Sequence, residues 1–208
     1  MPVLLATMVH GVIDDFFPDF NIYSRSFTSI YLLTLALGIL LLGITKIQLS
    51  WSDIGLTRKN LKESLIDAGI FSIGGLVIIF CVCLLIDMFL PGYDLGTKFW
   101  HISIHITALD YLFSAFVQEI LRSVGQVSIQ KFIQDQKGYY AIFMSSIVFS
   151  ILHSPIGITL TAITMFASYM FGLIFSRTYN LVGVTLIHFI LGYFTLSLLG
   201  VLTGGFFQ

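Results

Sequence analysis

Six apolar runs, at about 28–47, 66–91, 104–123, 139–153, 157–176 and 181–203, take up most of this 208-residue chain. A helix that crosses a membrane needs about 20 largely apolar residues, because the hydrocarbon layer is about 30 Å thick and each residue rises about 1.5 Å. Five runs are near that length and the fourth is short. The balance of residues agrees: 57% are hydrophobic and 10% charged, and the mean hydropathy is +0.96, whereas a soluble domain carries about 25% charged residues. The expectation is one all-α domain, a polytopic membrane helix bundle of about six transmembrane helices.

The rest of the sequence fills in this frame. Between the first two runs, KIQLSWSDIGLTRKNLKESL mixes Trp51, Ile54, Leu56, Leu61 and Leu65 with Lys46, Arg58, Lys59 and Lys62, the pattern of an amphipathic linker at the headgroup level. Those four basic residues, with Lys131, Lys137 and Arg177, fall on one set of alternate loops; Arg25 and Lys98 fall on the other. Seven against two predicts a multi-pass protein with both termini outside the cytoplasm. Residues 1–27 carry Asp14 and Asp15 and no basic lead, which suits an interfacial or re-entrant segment better than a signal peptide; residues 28–208 form the main domain. A net charge of -1 with scattered basic residues offers nucleic acid no binding face. Cys81 and Cys83, about 200° apart on a helix, read as packing residues. Ser146/Ser150 and Ser168/Gly172 have the spacing of close helix contacts.

Chemistry, if present, must come from the polar residues inside these runs. A charge at mid-bilayer costs about 2.5–3.5 kcal/mol on insertion scales and nearly always faces a cavity or a partner. Glu119 and Arg122, three apart in FSAFVQEILRSVGQ, satisfy that requirement most simply as an ion pair in the bundle interior. Two histidines enlarge the possibilities. His153 ends the fourth run and His188 lies within the sixth; with Glu119 they come from three different helices and lie roughly 10–20 Å deep, given about 1.5 Å per residue. Such a set either binds zinc or works without metal, with a carboxylate activating water and a histidine stabilising an oxyanion. Spacing does not separate the two, though no HExxH pre-organises two ligands on one helix.

The order of these motifs resembles that of the CPBP family, the CAAX protease and bacteriocin-processing (Abi) group of intramembrane proteases, whose pattern is EExxxR, FxxxH and HxxxN on successive helices. The resemblance covers roughly residues 50–203: QEILRS stands at the first motif, FSILH from Phe149 to His153 at the second, and HFILG from His188 to Gly192 at the third, beside FGLIFSRTYNLVG. It implies glutamate-dependent hydrolysis by an activated water in a membrane cavity, with Glu119, His153 and His188 as catalytic residues and Gln118, Arg122 and Gly192 in support. It also implies no cofactor, although family members are often labelled metalloproteases. The implied partners are the lipid bilayer and membrane-associated peptides or proteins, prenylated or bearing leader peptides, and the implied location is a bacterial plasma membrane.

Three departures qualify what is carried over. Gln118 stands where the family has its first glutamate, and an amide takes no proton from water near neutral pH. Gly192 stands where the family has an asparagine that helps hold the oxyanion. Arg122 follows Glu119 by three residues instead of four. The chain therefore reads as a CPBP-type endopeptidase, weakened by these changes, or as a pseudoprotease that keeps the cavity for membrane binding or scaffolding. A small transporter lined by Asp67, Asp87, Asp110 and Glu119 is a third reading.

Overall fold

The computed structural model describes residues 25–89, 94–96, 106–153 and 158–198. Among these the chain forms six long helices and no strand: α1 (Arg25–Lys46), α2 (Leu61–Phe89), α3 (Ile106–Ile133), α4 (Tyr139–Ile151), α5 (Ile158–Thr178) and α6 (Leu181–Leu198). They follow the six apolar runs closely, with α4 the short one. The N-terminal interfacial segment expected at 1–27 lies outside the described residues up to position 24, and α1 begins at Arg25.

Among the described residues, two helices, α2 and α6, are long and apolar enough to cross a membrane. In α2 only 11% of the most apolar stretch is buried inside the protein, and side chains such as Ile70, Ile73, Val77, Ile78 and Met88 face outward. An apolar surface this extensive marks a face for lipid or for another protein. The charges on α3, expected from the sequence, are turned inward instead: Glu119 and Arg122 are 0% and 2% exposed.

α3 lies at the centre, packed against α1, α4, α5 and α6, while α2 pairs with α6 and α4 with α5. Two close approaches allow this. A Cβ on Gly183 would run into the carbonyl and hydroxyl oxygens of Ser64, and one on Gly172 would lie 2.6 Å from Ile142 Cγ2. The second bears out the close-contact reading of Gly172; Ser146, Ser150 and Ser168 are also buried.

In the segment after α1, Arg58 and Lys59 are exposed while Leu49 and Ile54 are buried. The segment turns through residues 50–60 and sends Leu49 and Ile54 into the main apolar core, against Phe175, Leu181, Val124 and Ile187, leaving Trp51 exposed. Backbone and amide hydrogen bonds enforce this. Gly55, at φ +84°, accepts at its carbonyl from Leu181 N at 2.9 Å, in a conformation that suits glycine. The buried Asn180 amide donates to the carbonyls of Thr57 and Lys59, both at 2.9 Å, while its Oδ1 accepts from Val182 N as the N-cap of α6. Asn180 thus clamps the linker to the α5–α6 turn.

The α3–α4 connection is built on similar rules. Gln134 and Gly138 take left-handed backbone conformations, and the Asp135 carboxylate accepts from Tyr140 N at 2.8 Å and Ala141 N at 3.1 Å, satisfying two free amides of the first turn of α4. Among the described residues Cys81 is exposed and Cys83 buried, both as free thiols.

Candidate active site

α3 carries its polar residues at one-turn intervals, so Glu119, Arg122 and Gln126 share one face. That face points into the bundle and meets α5 and α6. Glu119 Oε1 lies 2.8 Å from His188 Nδ1 on α6. Its Oε2 accepts from Arg122 Nε at 2.7 Å, and Arg122 Nη2 comes within 2.6 Å of the same oxygen off hydrogen-bond alignment. The three-residue spacing is accommodated as an i,i+3 pair in unbroken helix.

The arginine is itself held on its far side. Its Nη1 donates to Gln126 Oε1 at 2.9 Å, Gln126 Nε2 donates to Ser176 Oγ at 2.8 Å, and the guanidinium lies 5.6 Å from the centre of the Phe175 ring. A continuous chain of polar contacts therefore runs from α6 through α3 to α5, inside an apolar bundle. Charges buried at this depth persist only when paired and hydrogen-bonded. Gln126 and Ser176 were not among the residues expected from the sequence; the one-turn spacing of Arg122 and Gln126 was the available signal.

His188 sits in an aromatic cage. Phe171 is 5.4 Å from its ring centre, Phe149 6.4 Å and Tyr111 6.3 Å, the last edge-on. His153 is near the pair: its Nδ1 is 3.0 Å from the Phe149 carbonyl, and its ring centre lies 4.9 Å from that of Phe149 at a 46° tilt, while Phe149 and His188 meet edge-on at 6.4 Å. Of the three residues expected to carry chemistry, Glu119 and His188 are in direct contact, and His153 shares with His188 a ring contact to Phe149.

The supporting positions are placed as follows. Gln118 turns its Nε2 to Ser114 Oγ at 2.9 Å, and its Oε1 is buried without a partner. Gly192 lies one turn beyond His188, and a Cβ there would collide with the Tyr111 hydroxyl. Among the acids proposed for an ion path, Asp67 pairs with Arg177 Nε at 3.1 Å and Asp87 accepts from Leu95 N at 2.9 Å, and the Asp110 side chain is outside the described ones. These contacts account for Asp67 and Asp87 as structural partners.

No group of three His, Cys, Asp or Glu side chains is arranged to hold a metal among the described residues. Both Glu119 oxygens are engaged by Arg122 and His188, while the Nδ1 atoms of both histidines face acceptors, which leaves each Nε2 free.

Neither a search of curated proteins nor a search of solved structures finds a match. Over residues 99–194, the part of the chain that holds all three motifs, the sequence matches the family described as Rce1-like, type II CAAX prenyl endopeptidase, consistent with the CPBP/CAAX protease resemblance read from the motifs.

Proposed function

We propose that this protein is a multi-pass intramembrane endopeptidase that cleaves membrane-associated peptides, with prenylated C-terminal segments as the substrate class the family description favours. The observation that carries this reading is the contact between Glu119 and His188: a buried carboxylate held by Arg122 on one oxygen and facing an imidazole on the other. A structural ion pair needs only Glu119 and Arg122; the histidine adds a side chain able to take and give a proton.

The chemistry follows from which atoms are engaged. The carboxylate fixes the His188 proton on Nδ1 and leaves Nε2 to accept a proton from water, as the acid partner of a histidine does in other hydrolases. Glu119 thus activates water through His188 and stabilises the imidazolium that forms. His153, its Nδ1 turned to a carbonyl, likewise presents Nε2, which orients the water. No step requires a metal. Loss of the family's first glutamate at Gln118 is tolerated in this scheme because the base is the Glu119–His188 pair.

The pseudoprotease reading keeps one specific observation on its side, the complete burial of Glu119 with both oxygens engaged. The two readings part in one experiment. The purified protein in nanodiscs, given a panel of prenylated and leader-type peptides, should yield products with one reproducible scissile bond by mass spectrometry, with and without chelator. No product from any peptide, at full folding, would favour the scaffold; abolition by chelator alone would overturn the metal-free scheme.

A further inference from the structure

The geometry points to Tyr111 as the hydrogen-bond donor for the oxyanion, delivered from α3 into the space that Gly192 leaves open on α6; this rests on the hydrolytic reading above. A Cβ built on Gly192 would collide with the Tyr111 hydroxyl and lie 3.0 Å from Cζ and 3.2 Å from Cε1. The phenol head therefore occupies the place where a side chain rooted at 192 would begin. Position 192 is one helical turn beyond His188, so a polar group there stands on the same face of α6 as the imidazole.

The ring is fixed in this position. It meets His188 edge-on at 6.3 Å with a 76° angle between planes, and it packs on Phe189 at 6.3 Å and on the buried Tyr193 at 6.0 Å. Tyr111 and Glu119 both belong to α3, so one helix would supply the oxyanion donor and the carboxylate behind the base. The glycine and the tyrosine form a reciprocal pair: the small residue is required by the large one.

In the step this assigns, the water oxygen bonds to the scissile carbonyl carbon while its proton passes to His188 Nε2. The carbonyl π electrons move onto oxygen, and the Tyr111 O–H donates a hydrogen bond to that oxyanion. When the tetrahedral intermediate collapses, the C–N bond breaks and the amine leaves with the proton from His188. The tyrosine keeps its proton throughout.

Tyr111→Phe keeps the ring and removes only the donor. Expected is a fall in kcat of about 100- to 1000-fold, the usual cost of one oxyanion donor, with KM and melting temperature unchanged. The double variant Tyr111→Ala with Gly192→Asn, which opens the space and places an amide donor there, should turn over faster than Tyr111→Ala alone; it also decides the matter if Tyr111→Phe fails to fold. An active wild type whose Tyr111→Phe variant keeps its kcat would overturn the role of Tyr111 and leave the protease reading standing. A folded wild type that cleaves nothing would overturn both.

Discussion

Glu119 Oε1 and His188 Nδ1 meet at 2.8 Å across 69 residues of sequence, joining α3 to α6 while Arg122 holds the opposite oxygen of the same carboxylate. Removing one member leaves a buried charge without its partner. Arg122→Met should therefore cost about 3–5 kcal/mol of stability, as for other broken buried pairs, read as a large drop in melting temperature in detergent. Arg122→Lys should recover only part of it, because an ammonium lacks the planar fork that reaches both Glu119 and Gln126. An Arg122→Met protein as stable as the wild type would contradict the pairing.

The close helix approaches make a graded prediction. Gly183→Ala drives a methyl into the Ser64 backbone and should be the most destabilising; Gly172→Ala, which meets Ile142 and the Gln126 amide, should cost about 1–3 kcal/mol as overpacking does. Gly69 and Gly74 have open space at the Cβ position, so alanine there should leave the melting temperature unchanged. Equal effects at all four positions would rule out the packing described for α2–α6 and α4–α5.

Asn180 is fully buried, and its amide serves two carbonyls and one backbone N–H. Asn180→Ala leaves these groups unpaired at about 1–3 kcal/mol for each that stays buried. Hydrogen exchange should rise at Val182, and residues 57–60 should become sensitive to protease. Unchanged protection there would show that the clamp is dispensable.

One acid outside the membrane-spanning segments gives a pH prediction. Burial pushes the Asp53 carboxyl up, but its hydrogen bonds with Lys131 at 2.8 Å and with Ser50 more than offset this, holding it below its ordinary value. A folded-state pKa below the unfolded one stabilises the fold above the unfolded value, about 3.9, and that stability fades as pH falls through the folded value. Melting temperature should thus drop between about pH 5 and pH 3, and Asp53→Asn should remove part of the slope; a variant with the same slope would exclude Asp53 as a contributor.

How much of this could be read beforehand differs from element to element. The helices were legible because lipid demands long apolar runs, and the Glu119–Arg122 pair because a buried charge needs a partner within one turn. The meeting of Glu119 with His188 was legible only as possible convergence, since which helix faces which is decided by packing. The linker's mixture of apolar and basic residues was legible, but not where it docks: the Asn180 clamp, more than a hundred positions away, holds it to the α5–α6 turn with Leu49 and Ile54 in the core. The Tyr111–Gly192 contact had no local signal, because a glycine in a membrane helix does not name the residue that fills its space.

The most direct test compares kcat of the wild type with that of Glu119→Gln in nanodiscs, on a peptide the wild type cleaves, with melting temperatures recorded for both. The account predicts a loss of about 100- to 10,000-fold, the range of general acid–base catalysis, in a variant that stays folded at a lowered melting temperature, since glutamine keeps a hydrogen bond with Arg122 but no longer neutralises it. Undiminished cleavage by folded Glu119→Gln would contradict it, placing the chemistry away from Glu119 and His188.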